Sequence, residues 1–167
     1  MKVKVKVPAT SANLGPGFDV AGLALTLYNT FTFELADQGL NITGCPEQFC
    51  NEENMTYQAF KQAAEICGLE YQGVNIECSG DVPYTRGLGS SSTCIVAGIV
   101  GAFAFKDKVE DRQEILELAT AIEGHPDNVA PAIFGGLTVS VMEEDNVLTL
   151  NIPVKHDYRF VTLIPPF

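Results

Sequence analysis

Basic residues are scarce in this chain: ten Lys and Arg stand against 21 Asp and Glu, for a net charge of −11. Nucleic-acid binders draw affinity from clustered Lys and Arg that neutralise phosphates, so this balance speaks against DNA or RNA as partner. It does not exclude an anionic nucleotide, because backbone N–H groups or a metal ion can neutralise charge locally. Histidine is scarcer still, with only His125 and His156 available to join a metal cluster. The five cysteines, Cys45, Cys50, Cys67, Cys78 and Cys94, include no Cys-x-x-Cys pair. An odd, scattered set of this kind reads as free, mostly buried thiols in a reducing compartment. No window reaches the roughly 18 apolar residues of a membrane span, so no membrane partner is expected. Met1–Val7 alternates lysines with valines and lacks the apolar stretch of a secretion signal, which points to the cytoplasm. Internal repeats and low-complexity tracts are missing too.

What remains is ordinary globular material. With 167 residues, 46% hydrophobic and 19% charged, the chain is long enough for one well-buried domain. Lys2–Val7 alternates as a strand, and Pro8–Gly17 is too rich in Pro and Gly for regular structure. Leu23–Leu35 resumes a strand pattern. Asn54–Cys67 has helical spacing with Gly68 as its stop, and Val74, Ile76 and Cys78 alternate again. Cys94–Phe105 is apolar nearly all round and predicts a buried helix. Asp111 and Glu114 form a capping-box pattern for a helix through Ile122. After the break Gly124–Asn128 comes a short helical piece, then a hairpin of Leu137–Met142 with Val147–Ile152, and a last strand at Tyr158–Ile164. This order predicts a mixed α+β fold.

The most informative segment is Pro83-Tyr-Thr-Arg-Gly-Leu-Gly-Ser-Ser-Ser-Thr93, between a strand and the buried helix. Gly87 and Gly89 let backbone approach an anion closely and take positive φ. The helix beyond presents unpaired N–H groups and the positive end of its dipole. The hydroxyls of Ser90, Ser91, Ser92 and Thr93 add donors, or a ligand for a divalent cation. From these residues alone, a phosphate loop and a Gly-rich turn with a serine N-cap are equally good readings. Two standard motifs are ruled out. There is no Gly-Lys dipeptide for a Walker A loop, and Ser90–Ser92 stand where a dinucleotide fingerprint wants a third glycine.

The pattern Pro-x-x-x-Gly-Leu-Gly-Ser-Ser-small at Pro83–Ser92 resembles the phosphate loop of the GHMP kinases, named for galactokinase, homoserine, mevalonate and phosphomevalonate kinases. Two further segments resemble the homoserine kinases of that family. They are Pro8-Ala-Thr-Ser-Ala-Asn-Leu-Gly-Pro-Gly-Phe-Asp19 and Glu123-Gly-His-Pro-Asp-Asn-Val-Ala-Pro131. With the strands between them, they cover essentially the whole chain. The resemblance implies an α+β, ribosomal-protein-S5-like ATP-binding domain over 1–157. Residues 158–167 would then open a C-terminal domain that this chain lacks, since such enzymes are roughly twice the usual domain length. It also implies ATP- and Mg²⁺-dependent phosphorylation of the L-homoserine hydroxyl to O-phospho-L-homoserine, a step of threonine biosynthesis, and it allows a homodimer. The chain alone is expected to be inactive while keeping some nucleotide affinity.

By the same resemblance, Gly87, Gly89, Ser90 and Ser91 wrap the β- and γ-phosphates of ATP. Pro83, Tyr84, Thr85, Arg86, Leu88, Ser92 and Thr93 complete the loop. Asn54 borders the adenine, where an N-cap is an equal alternative. Ser91 faces Mg²⁺, and the family's spacing back from Asn128 lands the magnesium carboxylate on Glu117. That helix otherwise reads as a solvated face of Glu110, Glu114, Glu117 and Glu123. One carboxylate suffices for Mg²⁺ when phosphates complete its shell. Asn13, Asp19, His125, Asp127 and Asn128 match positions that contact homoserine. Its ammonium needs a carboxylate such as Asp19 or Asp127, and its hydroxyl an orienting amide such as Asn128. Many relatives place a catalytic Asp where this chain has Asn128, and an amide accepts no proton. No base is therefore assigned, with Asp127 left open. Of Arg86, Arg112 and Arg159, the first belongs to the phosphate loop; the family's substrate arginines lie in the second domain. A sugar or mevalonate kinase, or a catalytically silent nucleotide sensor, fits the motifs less well.

Overall fold

The computed structural model describes residues 1–109, 111–143, 146–155 and 158–164. The expectations that touch Glu110, His156 and residues 165–167 lie outside them. Strand β1 (Lys2–Leu14) and strand β2 (Gly17–Ala36) form one long antiparallel hairpin. Val3, Val5 and Val7 point inward as their alternation predicts. Pro8–Leu14, expected to be irregular, stays in the strand. Register shifts between Pro8 and Thr10 and between Ala12 and Leu14 absorb the awkward residues without ending the ladder.

Strand β2 is the hub of the sheet. One edge pairs with β1 along its length; the other pairs with β4 (Gly73–Gly80) at Asn29–Ala36 and with β5 (Leu137–Glu143) at Ala21–Leu23. Between these two contacts lie Leu25 and Leu27, which pack on a small cluster of Ala9, Val82 and Leu88. Strand β6 (Asn146–Ile152) completes the expected hairpin with β5. Strand β3 (Gly39–Thr43), parallel to β4, was not evident from the sequence because it is short and carries Gly and Asn. The expected strand at Tyr158–Ile164 is not part of the sheet. An extended segment becomes a strand only through a ladder partner, and the described strands supply none there.

Among the described residues, four α-helices pack on the sheet: α1 (Met55–Cys67), α2 (Ser90–Ala104), α3 (Arg112–Glu123) and α4 (Pro126–Phe134). The apolar circumference of α2 has a plain cause, since α1, β1, α3 and α4 all touch it. At Gly98 the approach is so close that a Cβ would sit 2.3 Å from the Thr56 carbonyl oxygen of α1. Phe60 of α1 stacks on Phe33 of β2 at 5.4 Å between centroids and meets Tyr71 edge-on at 5.3 Å. Asp111 caps α3 by accepting from the Glu114 N–H at 3.0 Å, as the capping pattern predicts. No helix among the described residues is long and apolar enough to cross a membrane.

The Phe33–Phe60 stack joins sheet to helix in the centre of the core, and both rings are fully buried. Phe33→Ala should therefore cost about 3–5 kcal/mol in urea denaturation, while Lys4→Ala on the exposed face of β1 should stay within about 0.5 kcal/mol.

Candidate active site

The loop from Asp81 to Gly89 leaves β4 and enters α2, and it is held from beneath. Leu88 is buried, and its carbonyl accepts from the Thr10 N–H at 3.1 Å. Gly89 has φ +66°, and a Cβ there would lie 2.0 Å from the Thr10 hydroxyl oxygen, so only glycine fits. That hydroxyl donates to Asn128 Oδ1 at 2.8 Å. The first intrahelical bond of α2 runs from Thr93 N to Gly89 O at 2.9 Å. The N–H groups of Ser90, Ser91 and Ser92 precede it and, with the helix dipole, face the mouth of the loop. Thr93 does not join them, contrary to expectation. It is buried, donates to the Ser90 carbonyl at 2.8 Å and accepts from Asn29 Nδ2 at 3.0 Å. Asn29, which the sequence reading passed over, also accepts from the Val82 N–H at 3.2 Å and so ties strand, loop and helix together.

The carboxylate beside the serines is Glu123, not Glu117. Ser91 Oγ donates to Glu123 Oε1 at 2.7 Å and Ser92 Oγ to the same oxygen at 3.1 Å. Glu117 instead accepts from Gln113 at 2.7 Å, and Gln113 also donates to the Val147 carbonyl of β6. The reason is the early stop of α3: Gly124 takes the left-handed conformation, so the last helical residue is the one turned toward α2. A carboxylate at the mouth of a phosphate loop is electrostatically wrong by itself. Like charges about 4 Å apart repel by about 4 kcal/mol at an effective dielectric of ~20. Glu123 with the two hydroxyls offers only hard oxygen donors, which suits a magnesium ion that draws its remaining ligands from phosphates and water.

A groove of about 430 Å³ opens on one side of the loop, lined by Ala12, Asn13, Thr85, Gly87, Gly89, Ser90, Ser91 and Asn128. Asn13 and Asn128 are thus brought together as expected. The other residues expected on the acceptor side are not equivalent to them. Asp19 stands at the exposed hairpin tip, where its N–H donates to Asn13 Oδ1 at 2.9 Å. Asn13 and Asp19 both have positive φ, 59° and 54°, which Asn and Asp tolerate better than most residues. Asp127 is only 1% exposed and lies beneath the groove, its Oδ1 2.6 Å from His125 Nδ1 and 3.4 Å from Asn128 Nδ2. Its Oδ2 is buried and has no hydrogen-bond partner among the described residues. Its backbone packs hard on β2, for a Cβ at Gly22 would fall 1.7 Å from the Asp127 carbonyl oxygen.

On the other side of the loop is a cavity of about 440 Å³, large enough for a heteroaromatic base. Asn54 lines it but spends its polar atoms as the α1 N-cap, accepting from the Thr56 and Tyr57 N–H groups and donating to the Phe49 carbonyl. Tyr84 lines it too, its ring 6.1 Å from that of Phe49. Arg86 turns back onto Thr85, 3.3 Å from both its carbonyl and its hydroxyl oxygen. Burial pushes the cavity's Cys78 thiol up to about 12 and Cys45 up to about 11, and raises Cys94 and Tyr84. These groups stay neutral near pH 7, so they set no negative charge against an anionic ligand. The two cavities share Thr85, Ser90 and Ser91.

Residues 54–136 match the GHMP kinases N terminal domain. The chain belongs to the GHMP kinase family. It is 50% identical to a homoserine kinase of Clostridium beijerinckii over 166 residues, 99% of this chain and 56% of that protein. A homoserine kinase of Clostridium botulinum is 47% identical over the same length, again covering 56% of that protein. The solved homoserine kinase of Cytophaga hutchinsonii superposes with a TM-score of 0.76 at 30% identity, covering 92% of this chain and 52% of that one. The mevalonate kinase of Methanococcus jannaschii, at 16% identity and a TM-score of 0.71 over 93% of this chain and 57% of that one, shares the fold. This GHMP kinase chain thus spans about half the length of the curated relatives it matches.

Gly89→Ala should lower stability by about 1–3 kcal/mol, because both the positive φ and the Thr10 contact oppose a side chain. Thermal melts beside Gly68→Ala, whose left-handed glycine has open space around it, separate the contact from the backbone strain.

Proposed function

We propose that this chain forms the nucleotide side and part of the acceptor side of a kinase that phosphorylates the hydroxyl of L-homoserine. The observation that carries this reading is the meeting of the two cavities at Thr85, Ser90 and Ser91, beside Glu123. A nucleotide base fits the larger, largely neutral cavity. Its phosphates reach over the Ser90–Ser92 N–H groups, and an acceptor in the smaller groove meets the terminal phosphate at Ser91. The names of the similar proteins, at up to 50% identity, favour homoserine as that acceptor.

In the reaction, the acceptor oxygen bonds to the γ-phosphorus, the bond to ADP breaks, and the hydroxyl proton is released. Loop N–H groups and the α2 dipole hold the phosphate oxygens as charge shifts among them. Ser91 and Glu123 would hold magnesium, which when bound offsets phosphate charge. Asn128, fixed by Thr10, orients the acceptor hydroxyl. No base is needed when the transition state is loose, and Asp127, buried against His125, is poorly placed to be one. No Lys or Arg lines the groove. The homoserine carboxylate must therefore find its cations beyond these residues, since an unpaired buried carboxylate is costly.

Ser91→Ala and Glu123→Gln should each lower kcat of the intact protein by at least about a hundredfold, whereas Glu117→Gln should be nearly silent. A sensitive Glu117 beside a tolerant Glu123 would overturn the metal assignment. With homoserine, mevalonate and galactose assayed side by side, homoserine should turn over fastest; a faster rate on either other compound refutes the acceptor. Calorimetry on the 167-residue chain should find weak Mg-ATP binding and no tight homoserine binding.

A further inference from the structure

The wall of the larger cavity is built partly by a short turn whose chemistry phosphoryl transfer does not use. After β3, Cys45 leads into Pro46 and a single 3₁₀ turn, Glu47–Phe49, and Cys50 closes it by donating its N–H to the Glu47 carbonyl at 3.0 Å. This fold-back sets Cys45 Sγ and Cys50 Sγ 3.5 Å apart. Cys50 Sγ also lies 3.7 Å from the carbonyl oxygens of Cys45 and Pro46. Cys50 is exposed, while Cys45 is half-buried and lines the cavity. Cys78 of β4, which is buried, and Cys94 of α2, which is half-buried, line the same cavity. Of the five cysteines Cys50 alone is exposed, and exposure favours attack by a solvent reagent, so the pair that contains it is the reactive one. A disulfide needs its sulfurs about 2.05 Å apart. Rotation of two side chains on one short turn, by on the order of 1.5 Å, closes that gap.

We propose that Cys45 and Cys50 form a reversible disulfide that locks this wall of the cavity. A peroxide oxidises the exposed Cys50 thiol to a sulfenic acid and leaves as water. The Cys45 sulfur then attacks the Cys50 sulfur, forming the S–S bond as a second water departs with the Cys45 proton. Two thiols are oxidised and one peroxide is reduced; an excess of external thiol reverses the step by exchange. The locked turn carries Phe49, whose ring packs on Tyr84 of the phosphate loop and whose carbonyl receives the Asn54 cap of α1. Oxidation therefore reaches both ends of the cavity. A nucleotide seated there would cover Cys45 and slow the crosslink; that coupling, unlike the crosslink itself, rests on the proposed function.

The tryptic peptide spanning residues 7–61 holds Cys45 and Cys50 and no other cysteine, so mass spectrometry reads the event directly. After hydrogen peroxide treatment of the reduced protein, this peptide should lose two hydrogens, regain them in dithiothreitol, and lose none in Cys50→Ser or Cys45→Ser. Gain of oxygen on Cys50 without that loss, or a crosslink to a peptide carrying Cys78 or Cys94, overturns the assignment. Saturating Mg-ADP should slow the crosslink at least severalfold. An unchanged rate with ADP binding confirmed by calorimetry refutes the coupling, whereas no ADP binding at all refutes the nucleotide reading and leaves the crosslink standing.

Discussion

The contact of Gly89 with Thr10, and of Thr10 with Asn128, is the constraint on which the rest of the site depends. It joins the hairpin, the phosphate loop and the first turn of α4, segments far apart in sequence. One neutral hydrogen bond contributes only about 1 kcal/mol, so its importance is geometric. Because Gly89 sits against Thr10, the loop cannot move without β1. Because Thr10 holds Asn128, that amide moves with the loop. On the proposed function, donor and acceptor would thus be referred to a single point, which is what an in-line transfer requires.

Rigidity beneath that point comes from α2. Ordinary surface helices keep one wet face and can rock on their apolar stripe. Here α1, the sheet, α3 and α4 enclose α2, and Gly98 brings α1 nearly into backbone contact. Asn29 adds a polar clamp at its N-terminal end, bridging Val82 and Thr93. The N–H groups that precede the first helical bond are therefore preorganised, which would spare the proposed transfer a reorganisation cost.

Much of this was legible in the sequence because the signals were local. The valines of β1, the Asn54 and Asp111 caps and the apolar run of α2 each act through neighbours a few residues away, and each appears where its pattern predicts. The differences between expectation and structure share a different cause. Pro8–Leu14 stays in a strand because β2 lies alongside it, which no local rule can know. Glu117 and Glu123 carry the same side chain on one helix, and only the position of the left-handed stop at Gly124 relative to α2 decides between them. Thr93 follows three serines and looks like a fourth donor, yet the helical turn points it at Asn29. Asn29 itself, a polar residue in an apolar strand, was the available hint of a buried junction.

The acidic balance of the chain also finds its place. A net charge of −11 would seem to oppose a polyphosphate. Exposed charges farther away than about 8 Å are largely screened at physiological ionic strength, however, so the near field decides. In that near field stand the Ser90–Ser92 N–H groups, the helix dipole, neutral hydroxyls and thiols kept protonated by burial. Glu123 is a discordant charge at the serines, and its hydrogen bonds to Ser91 and Ser92 hold it there rather than letting it turn to solvent. A carboxylate so held makes phosphate binding unfavourable unless a cation arrives with it. On the proposed function, the residue that opposes bare nucleotide would thereby select the metal-bound form, and the site would gain its preference from a repulsion as much as from an attraction.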